Sequence, residues 1–152
     1  MSKTRYEVSY TAPVAATPTT VYRVIADYHD GHPRILPSAF RNMVVEKGGV
    51  GAGTQTRFEV HAFGQTQSIR HEVFEPEPGR VMTESDLHSP MKTTWTLTPD
   101  GAGCLVRIAT DWTSAGGFQG FIERLFAPGV MRKVYRDELV RLDRYARQQA
   151  GA

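Results

Sequence analysis

Hydrophobic and polar residues alternate along most of the chain before Thr113, a pattern typical of half-buried β-strands. The first such segment, Tyr6 to Ala12, places Tyr6, Val8 and Tyr10 on one face. The same alternation predicts six further strands, separated by short turns rich in glycine and proline. These strands are Arg41–Glu46, Thr54–Phe63, Gln65–Glu75, Arg80–Asp86, Lys92–Thr98 and Leu105–Trp112. Because the connections are too short for parallel crossovers, we expect one antiparallel sheet.

Helical spacing replaces this alternation at two places. Thr17 and Pro18 have the features of an N-cap and a first helical position, so a short helix is expected from there to about Asp27. The following segment, 28–37, contains a glycine and two prolines and allows one or two more turns of helix. A long C-terminal helix, kinked at Pro128-Gly129, is predicted by an apolar stripe. The stripe comprises Phe118, Phe121, Ile122, Leu125, Phe126, Met131, Val134, Tyr135, Leu139, Leu142 and Ala146.

These elements predict an α+β fold in which a curved seven-stranded antiparallel sheet surrounds the long C-terminal helix, with two short helices after the first strand. Seven strands make a sheet roughly 30 Å wide, whereas one helix with its side chains is about 10–12 Å across. The sheet must therefore curl around the helix, and a loose curl leaves an apolar cavity between them. In the alternative, large side chains fill this space, and the chain has seven Phe, six Tyr and two Trp to do so.

Composition bounds the class of protein. The 152 residues suit a single domain, 1–152, with one core. With 40% hydrophobic and 22% charged residues, the chain is not disordered, collagen-like or a disulfide scaffold. A single cysteine, Cys104, makes the cytoplasm the expected compartment. The net charge of +2 comes from residues after Thr110, where we interpret the basic excess as the solvated face of the C-terminal helix rather than a nucleic-acid surface.

Several short motifs accompany this order of elements. They are Ala26-Asp27-Tyr28 with Pro33 and Pro37, Gly51-Ala52-Gly53-Thr54, Glu75-Pro76-Glu77-Pro78-Gly79-Arg80, Thr93-Thr94-Trp95-Thr96, Phe121-Ile122-Glu123-Arg124-Leu125-Phe126 and Tyr135-Arg136-Asp137-Glu138-Leu139. On these motifs the whole chain resembles the START-like (SRPBCC) superfamily, which has the helix-grip fold. Within it the chain is most similar to the polyketide cyclase/dehydrase and lipid-transport group. The resemblance implies a deep hydrophobic cavity but no particular reaction, because members include lipid carriers, ubiquinone-binding proteins and aromatase/cyclases.

Period-2 alternation assigns one face of each strand to the interior. The strand after Gly79 is ambiguous, and the pattern favours Met82 and Glu84 as inward residues over Val81 and Thr83. His71, Glu84, Thr93 and Thr110 then stand as polar groups among apolar ones. The candidate ligand-binding residues are Tyr28, Leu36, Phe58, Val60, Ile69, His71, Val73, Met82, Glu84, Thr93, Trp95, Thr110, Trp112, Phe118, Phe121, Leu125, Met131 and Tyr135.

Three functions follow from this pattern. The first is binding or transport of a hydrophobic small molecule, namely a lipid, an isoprenoid or a polyketide-like aromatic. The second is a cyclase or dehydratase that uses the same cavity, with His71 and Glu84 as acid and base. The third is an interaction module with a basic C-terminal surface. We expect no cofactor, nucleic-acid partner or stable membrane insertion, and the sequence leaves a homodimer open.

Two motifs with other chemistry are set aside. The glycine-rich run Gly48–Thr54 lacks the lysine of a phosphate-binding loop and precedes a strand instead of a helix, so we interpret it as a hairpin loop. His29 and His32 are three positions apart but have no third ligand nearby, and we expect no metal site.

Overall fold

The computed structural model describes residues 5–113 and 129–150. Within these ranges it forms seven strands and three helices. In chain order they are β1 (Arg5–Val14), α1 (Pro18–Ala26), α2 (Gly31–Ile35), β2 (Phe40–Lys47), β3 (Gln55–Ala62), β4 (Gln65–Glu77), β5 (Val81–Asp86), β6 (Lys92–Asp100), β7 (Gly103–Thr113) and α3 (Val130–Ala150).

The strands form one sheet in the order β1-β7-β6-β5-β4-β3-β2, and every neighbouring pair is antiparallel. β1 and β2 follow one another among the strands but lie at opposite edges, and α1 and α2 form the connection between them. The predicted fold is confirmed: a helix-grip α+β arrangement with an antiparallel sheet, two short helices after β1 and a long C-terminal helix. The observed strand ends lie within two residues of those predicted.

Local chemistry explains where the two short helices begin. The Thr17 side chain caps α1 by accepting a hydrogen bond from the backbone N–H of Thr20 at 3.3 Å, and Pro18 occupies the first turn. α2 starts at Gly31, which lies directly against α1. A Cβ at Gly31 would lie 2.5 Å from the backbone oxygen of Val24. The contact between α1 and α2 therefore requires glycine at this position.

The glycine-rich run between β2 and β3 is a hairpin loop that holds the α1–α2 connection in place. The backbone N–H of Tyr28 donates to the oxygen of Gly49 at 2.8 Å, and that of Gly51 donates to the oxygen of Ala26 at 2.9 Å. Asp27 also forms a β-bridge with Val50. The loop therefore has a structural role, which its sequence alone does not reveal.

Helix α3 packs against β1, α1 and α2. Its buried side is formed by Met131, Tyr135, Glu138, Leu139, Leu142 and Ala146. The predicted helical segment 118–128 lies outside the described residues. Gly129 has a φ of 91°, and α3 continues from Val130 past the predicted stripe to Ala150. Among the helices in the ranges 5–113 and 129–150, none has the length and apolar character needed to cross a membrane.

Candidate functional site

A cavity lies between α3 and the sheet face that α3 covers. Every strand except β1 contributes to its lining, together with α2, the segment after it and α3. The lining residues are His32, Leu36, Phe40, Met43, Thr56, Phe58, Val60, Ile69, His71, Glu84, Met91, Thr93, Ile108, Thr110, Met131, Tyr135 and Glu138. Nine of these seventeen side chains are apolar, and the polar ones come from seven different elements, namely α2, the strands β3 to β7 and α3.

The cavity is narrow and partly open. The cavity volume is ≈ 60 Å³. It holds a few waters or a small organic group as it stands. Three methionines, Met43, Met91 and Met131, belong to its walls, and their flexible side chains allow it to widen. Leu36, Phe40 and Met43 also border an outer groove, and we infer from these shared residues that the mouth of the cavity lies there.

A polar row crosses the covered face of the sheet. Glu84 on β5 pairs with Thr93 on β6, which pairs with Thr110 on β7, so the three side chains share one face. The hydroxyls of Thr93 and Thr110 are hydrogen-bonded at 2.7 Å, and Thr110 is also hydrogen-bonded to the hydroxyl of Tyr135. Tyr135 thereby ties α3 to the sheet beside the cavity. Burial raises the pKa of Tyr135, so the phenol keeps its proton.

Glu84 is the buried carboxylate of this row, and its oxygens are well supplied with partners. Its Oε2 accepts from the Tyr28 hydroxyl at 2.9 Å, and its Oε1 accepts from Trp95 Nε1 at 2.8 Å. Burial pushes the pKa of Glu84 upward, but His32, His71 and the two hydrogen bonds outweigh burial and leave the pKa below its ordinary value. Glu84 is therefore an ionised group whose hydrogen bonds are already formed.

His32 orients Glu84 from α2. Its Nδ1 lies 2.7 Å from the backbone oxygen of Ile25, and its Nε2 lies 3.6 Å from Glu84 Oε2. Because a carbonyl oxygen only accepts, Nδ1 carries the hydrogen, and Nε2 is the nitrogen that faces the carboxylate. The ring stacks on Tyr28 with centroids 4.4 Å apart. His32 is thus held on both sides, which fits a structural role.

His71 on β4 has no such support. It is 7% exposed, and its Nδ1 is buried without a hydrogen-bond partner among residues 5–113 and 129–150. The ring makes an edge contact with Phe58 at a centroid distance of 5.0 Å. Burial lowers the pKa of His71, and the nearby carboxylates of Glu84 and Asp86 offset only part of this. His71 is therefore a neutral imidazole on the cavity wall with an unused ring nitrogen.

Glu138 on α3 is a second buried carboxyl at the cavity, and the sequence reasoning missed it. It is 3% exposed. Burial raises the pKa of Glu138 well above its ordinary value, and the charges of Glu84 and Asp137 raise it further. This environment favours the protonated acid over the carboxylate. The pKa values of the two buried carboxyls of the cavity are therefore shifted in opposite directions.

The predicted site residues divide into three groups. Those on the cavity wall are Leu36, Phe58, Val60, Ile69, His71, Glu84, Thr93, Thr110, Met131 and Tyr135. Those that are buried in the core without lining the cavity are Tyr28, Val73, Met82, Trp95 and Trp112. Phe118, Phe121 and Leu125 lie outside the described residues.

Seven lining residues were not predicted, and they are His32, Phe40, Met43, Thr56, Met91, Ile108 and Glu138. Ile108 and Thr56 lie on inward faces that the strand alternation identifies. Glu138 is three positions after Tyr135 and therefore on the same face of α3. Helical spacing was the available signal for Glu138, and the charged run around it concealed that signal.

Comparison with known proteins identifies the family of this chain. A family model described as polyketide cyclase/dehydrase and lipid transport matches residues 5–147. The KanY protein, solved by NMR, is 30% identical to this chain with a TM-score of 0.82, and the match covers 95% of this chain and 99% of that chain. No protein with a curated description matches.

Two more distant structures share the fold. The Zhui aromatase/cyclase from Streptomyces sp. R1128 is 22% identical with a TM-score of 0.71, and the match covers 96% of each chain. A START superfamily protein from Mycobacterium smegmatis is 16% identical with a TM-score of 0.69, and the match covers 94% of this chain and 98% of that one. With a family match over nearly its full length, the chain belongs to the polyketide cyclase/dehydrase and lipid transport family.

Proposed function

We propose that this protein binds a hydrophobic small molecule carrying at least one polar group in the cavity between the sheet and α3. The observation that carries the proposal is His71 at the wall of the cavity, whose buried Nδ1 has no hydrogen-bond partner in the described part of the chain. An unpaired buried polar atom costs free energy because it has lost its hydrogen bonds to water. A ligand hydroxyl or carbonyl group that hydrogen-bonds to the imidazole removes that cost. Lipids, isoprenoids and polyketide-like aromatics are the candidate ligand classes, in line with the family.

The length and cysteine content of the chain support a domain organisation and a compartment for this activity. In this proposal the chain acts as one domain, 1–152. It acts in the cytoplasm, because its single cysteine is buried and forms no disulfide within the chain. The ligand is a small molecule, and neither a nucleic acid nor a cofactor is part of the proposal.

Native mass spectrometry of the purified protein, followed by organic extraction, tests ligand retention. The four methionines at positions 43, 82, 91 and 131 then locate the ligand by methyl NMR. Met43, Met91 and Met131 line the cavity, whereas Met82 is buried but does not. We expect an apolar molecule whose removal shifts the three lining methyls more than that of Met82. A protein that neither retains nor takes up an apolar molecule would contradict the proposal.

A second function, a cyclase or dehydratase-type enzyme, is favoured by one specific arrangement. Neutral His71 and ionised Glu84 lie at the same cavity, and the charge of Glu84 acts on His71. The imidazole would take a proton from the carbon next to a ligand carbonyl, so that a C–H bond breaks, an N–H bond forms and the electron pair moves into an enolate. The carboxylate would stabilise the imidazolium that results.

Deuterium exchange measures this step without knowledge of the natural substrate. Acetophenone in D₂O exchanges its methyl hydrogens through the enolate, and NMR follows the loss of the methyl signal. We expect the wild-type protein to accelerate the exchange and the double variant His71→Ala with Glu84→Gln to lose the acceleration. His88→Ala, which alters an exposed histidine in the β5–β6 connection, serves as the control. Equal exchange with the wild-type protein and the double variant would remove this mechanism.

A further inference from the structure

Glu138 is a buried residue whose carboxyl group has no hydrogen-bond partner in the described part of the chain. It lies on the inward face of α3, three residues after Tyr135, and lines the cavity. Glu138 is 3% exposed, yet its side chain forms no hydrogen bond or ion pair with the residues in the ranges 5–113 and 129–150. Buried carboxyls in proteins are almost always paired, because the unpaired group loses its hydration without compensation.

Glu84, the other carboxyl of the cavity, is not free to bind a ligand. Glu84 already accepts hydrogen bonds from Tyr28 and Trp95 and faces His32 at 3.6 Å. A ligand that used Glu84 would have to displace one of these groups. In the described part of the chain, His71 has a buried Nδ1 without a partner. Glu138 is a buried lining residue for which no side-chain hydrogen bond is found there.

The surroundings of Glu138 favour the carboxylic acid over the carboxylate. Burial raises its pKa first, and the negative charges of Glu84 and Asp137 raise it further. The titratable groups around it, taken over α1–α2, β4, β5 and α3, are Tyr28, His32, His71, Glu84, Tyr135 and Asp137. The protonated acid has an O–H that donates, and the ionised Glu84 nearby repels an anion from the same space.

We infer that Glu138 determines ligand specificity by donating a hydrogen bond from its carboxylic acid to an uncharged oxygen acceptor, so that the cavity selects neutral ketones of hydrophobic molecules over hydrocarbons and carboxylates. The inference rests on the proposed binding function and names the chemical class of its ligand. Glu138 acts here as a binding group that positions the carbonyl, and no reaction is required of it.

Two probes of nearly equal shape separate the hydrogen bond from hydrophobic burial. Acetophenone carries the carbonyl and ethylbenzene lacks it, and methyl NMR of the cavity methionines measures the affinity of each. The quantity of interest is the ratio of the two affinities. We expect Glu138→Leu to lower the preference for the ketone by roughly 3–10-fold, the value of one hydrogen bond, and Glu138→Gln to retain it, since the amide also donates.

Arg144→Leu places the same new side chain on the exposed side of α3 and is the matched control, for which we expect the wild-type ratio. A Glu138→Leu protein that binds both probes with the wild-type ratio would overturn the role of Glu138 and leave the binding function intact. If neither probe shifts Met43, Met91 or Met131 of the wild-type protein, the binding function and this inference both fail. The carboxyl ¹³C signal of Glu138 gives an independent readout, and an ionised Glu138 at neutral pH would also overturn the inference.

Discussion

A charged carboxylate in the interior is stable only when other groups replace the water it has lost, and Glu84 shows how three elements do so. The donors to Glu84 come from the connection between α1 and α2 and from β6, and His32 comes from α2. Each of these side chains has its own fixed position in the core. The result is a preorganised polar cluster next to the cavity, in which the donors lose their partner if the carboxylate is removed.

We expect Glu84→Ala to lower the free energy of unfolding by about 3 kcal/mol, because the buried hydroxyl of Tyr28 and indole N–H of Trp95 lose their acceptor. Glu84→Gln keeps one acceptor oxygen, and its loss should be about half as large. Urea unfolding measures both. Glu77→Ala on the same sheet is the control, since Glu77 is exposed and should contribute less than about 1 kcal/mol. An alanine variant at position 84 as stable as that control would contradict the role of Glu84.

Glu138 should make the stability of the protein fall as the pH rises. Its pKa in the folded protein is raised, so between about pH 4.5, its ordinary value, and the folded pKa the native state holds a proton that the unfolded chain has released. Each pH unit in this window then costs up to about 1.4 kcal/mol of wild-type stability relative to Glu138→Gln. Urea unfolding of both proteins from pH 4 to pH 8 measures the difference. A stability difference independent of pH would show that Glu138 titrates normally.

At the level of elements, the close contact between α1 and α2 depends on a residue without a side chain. Gly31→Ala would bring its Cβ to 2.5 Å from the Val24 oxygen, and backbone cannot move away as a side chain can. We expect a loss of about 2 kcal/mol in the free energy of unfolding. Thermal and urea unfolding test this.

Gly53→Ala provides the comparison for that variant. Its φ of +90° disfavours alanine, but no atom lies within 4 Å of the new Cβ. We expect only the conformational cost of about 1 kcal/mol. If Gly31→Ala is the milder of the two changes, the helix contact is looser than described.

The elements themselves were predictable because their signals are local. Alternation of apolar and polar residues gave each strand to within two residues of its observed end, and Thr17-Pro18 gave the start of α1. The membership of the cavity wall was less predictable, because it depends on how the elements pack. Trp95 and Met82 point inward as expected but fill the core, whereas His32 reaches the cavity from a helix whose sequence gave no periodic signal.

At the scale of the whole molecule, the cavity results from the unequal cover that one helix gives a seven-stranded sheet. α3 packs against β1 at one edge, and the cavity wall is formed by the other six strands. The sequence predicts such a space from widths alone. Its size was not predictable, because it depends on the rotamers of residues such as Met43, Met91 and Met131. These side chains leave a cavity volume of ≈ 60 Å³.

Access to the cavity should depend on the segment after α2. Leu36 is half-buried and borders both the cavity and the outer groove. We expect Leu36→Trp to weaken acetophenone binding at least about tenfold, since the indole fills the mouth and each tenfold loss corresponds to about 1.4 kcal/mol. Leu87→Trp makes the same change at an exposed position of the β5–β6 connection and should bind as the wild type does. Equal weakening by both variants, or by neither, would place the binding route elsewhere.

A crystal structure of the protein with its co-purified ligand, or with acetophenone when the preparation is empty, tests the central claim most directly. The account predicts ligand density between the sheet and α3, in contact with His71 and Met131, with Glu84 still bonded to Tyr28 and Trp95. Ligand density confined to the outer surface, above an interior that side chains fill completely, would contradict it.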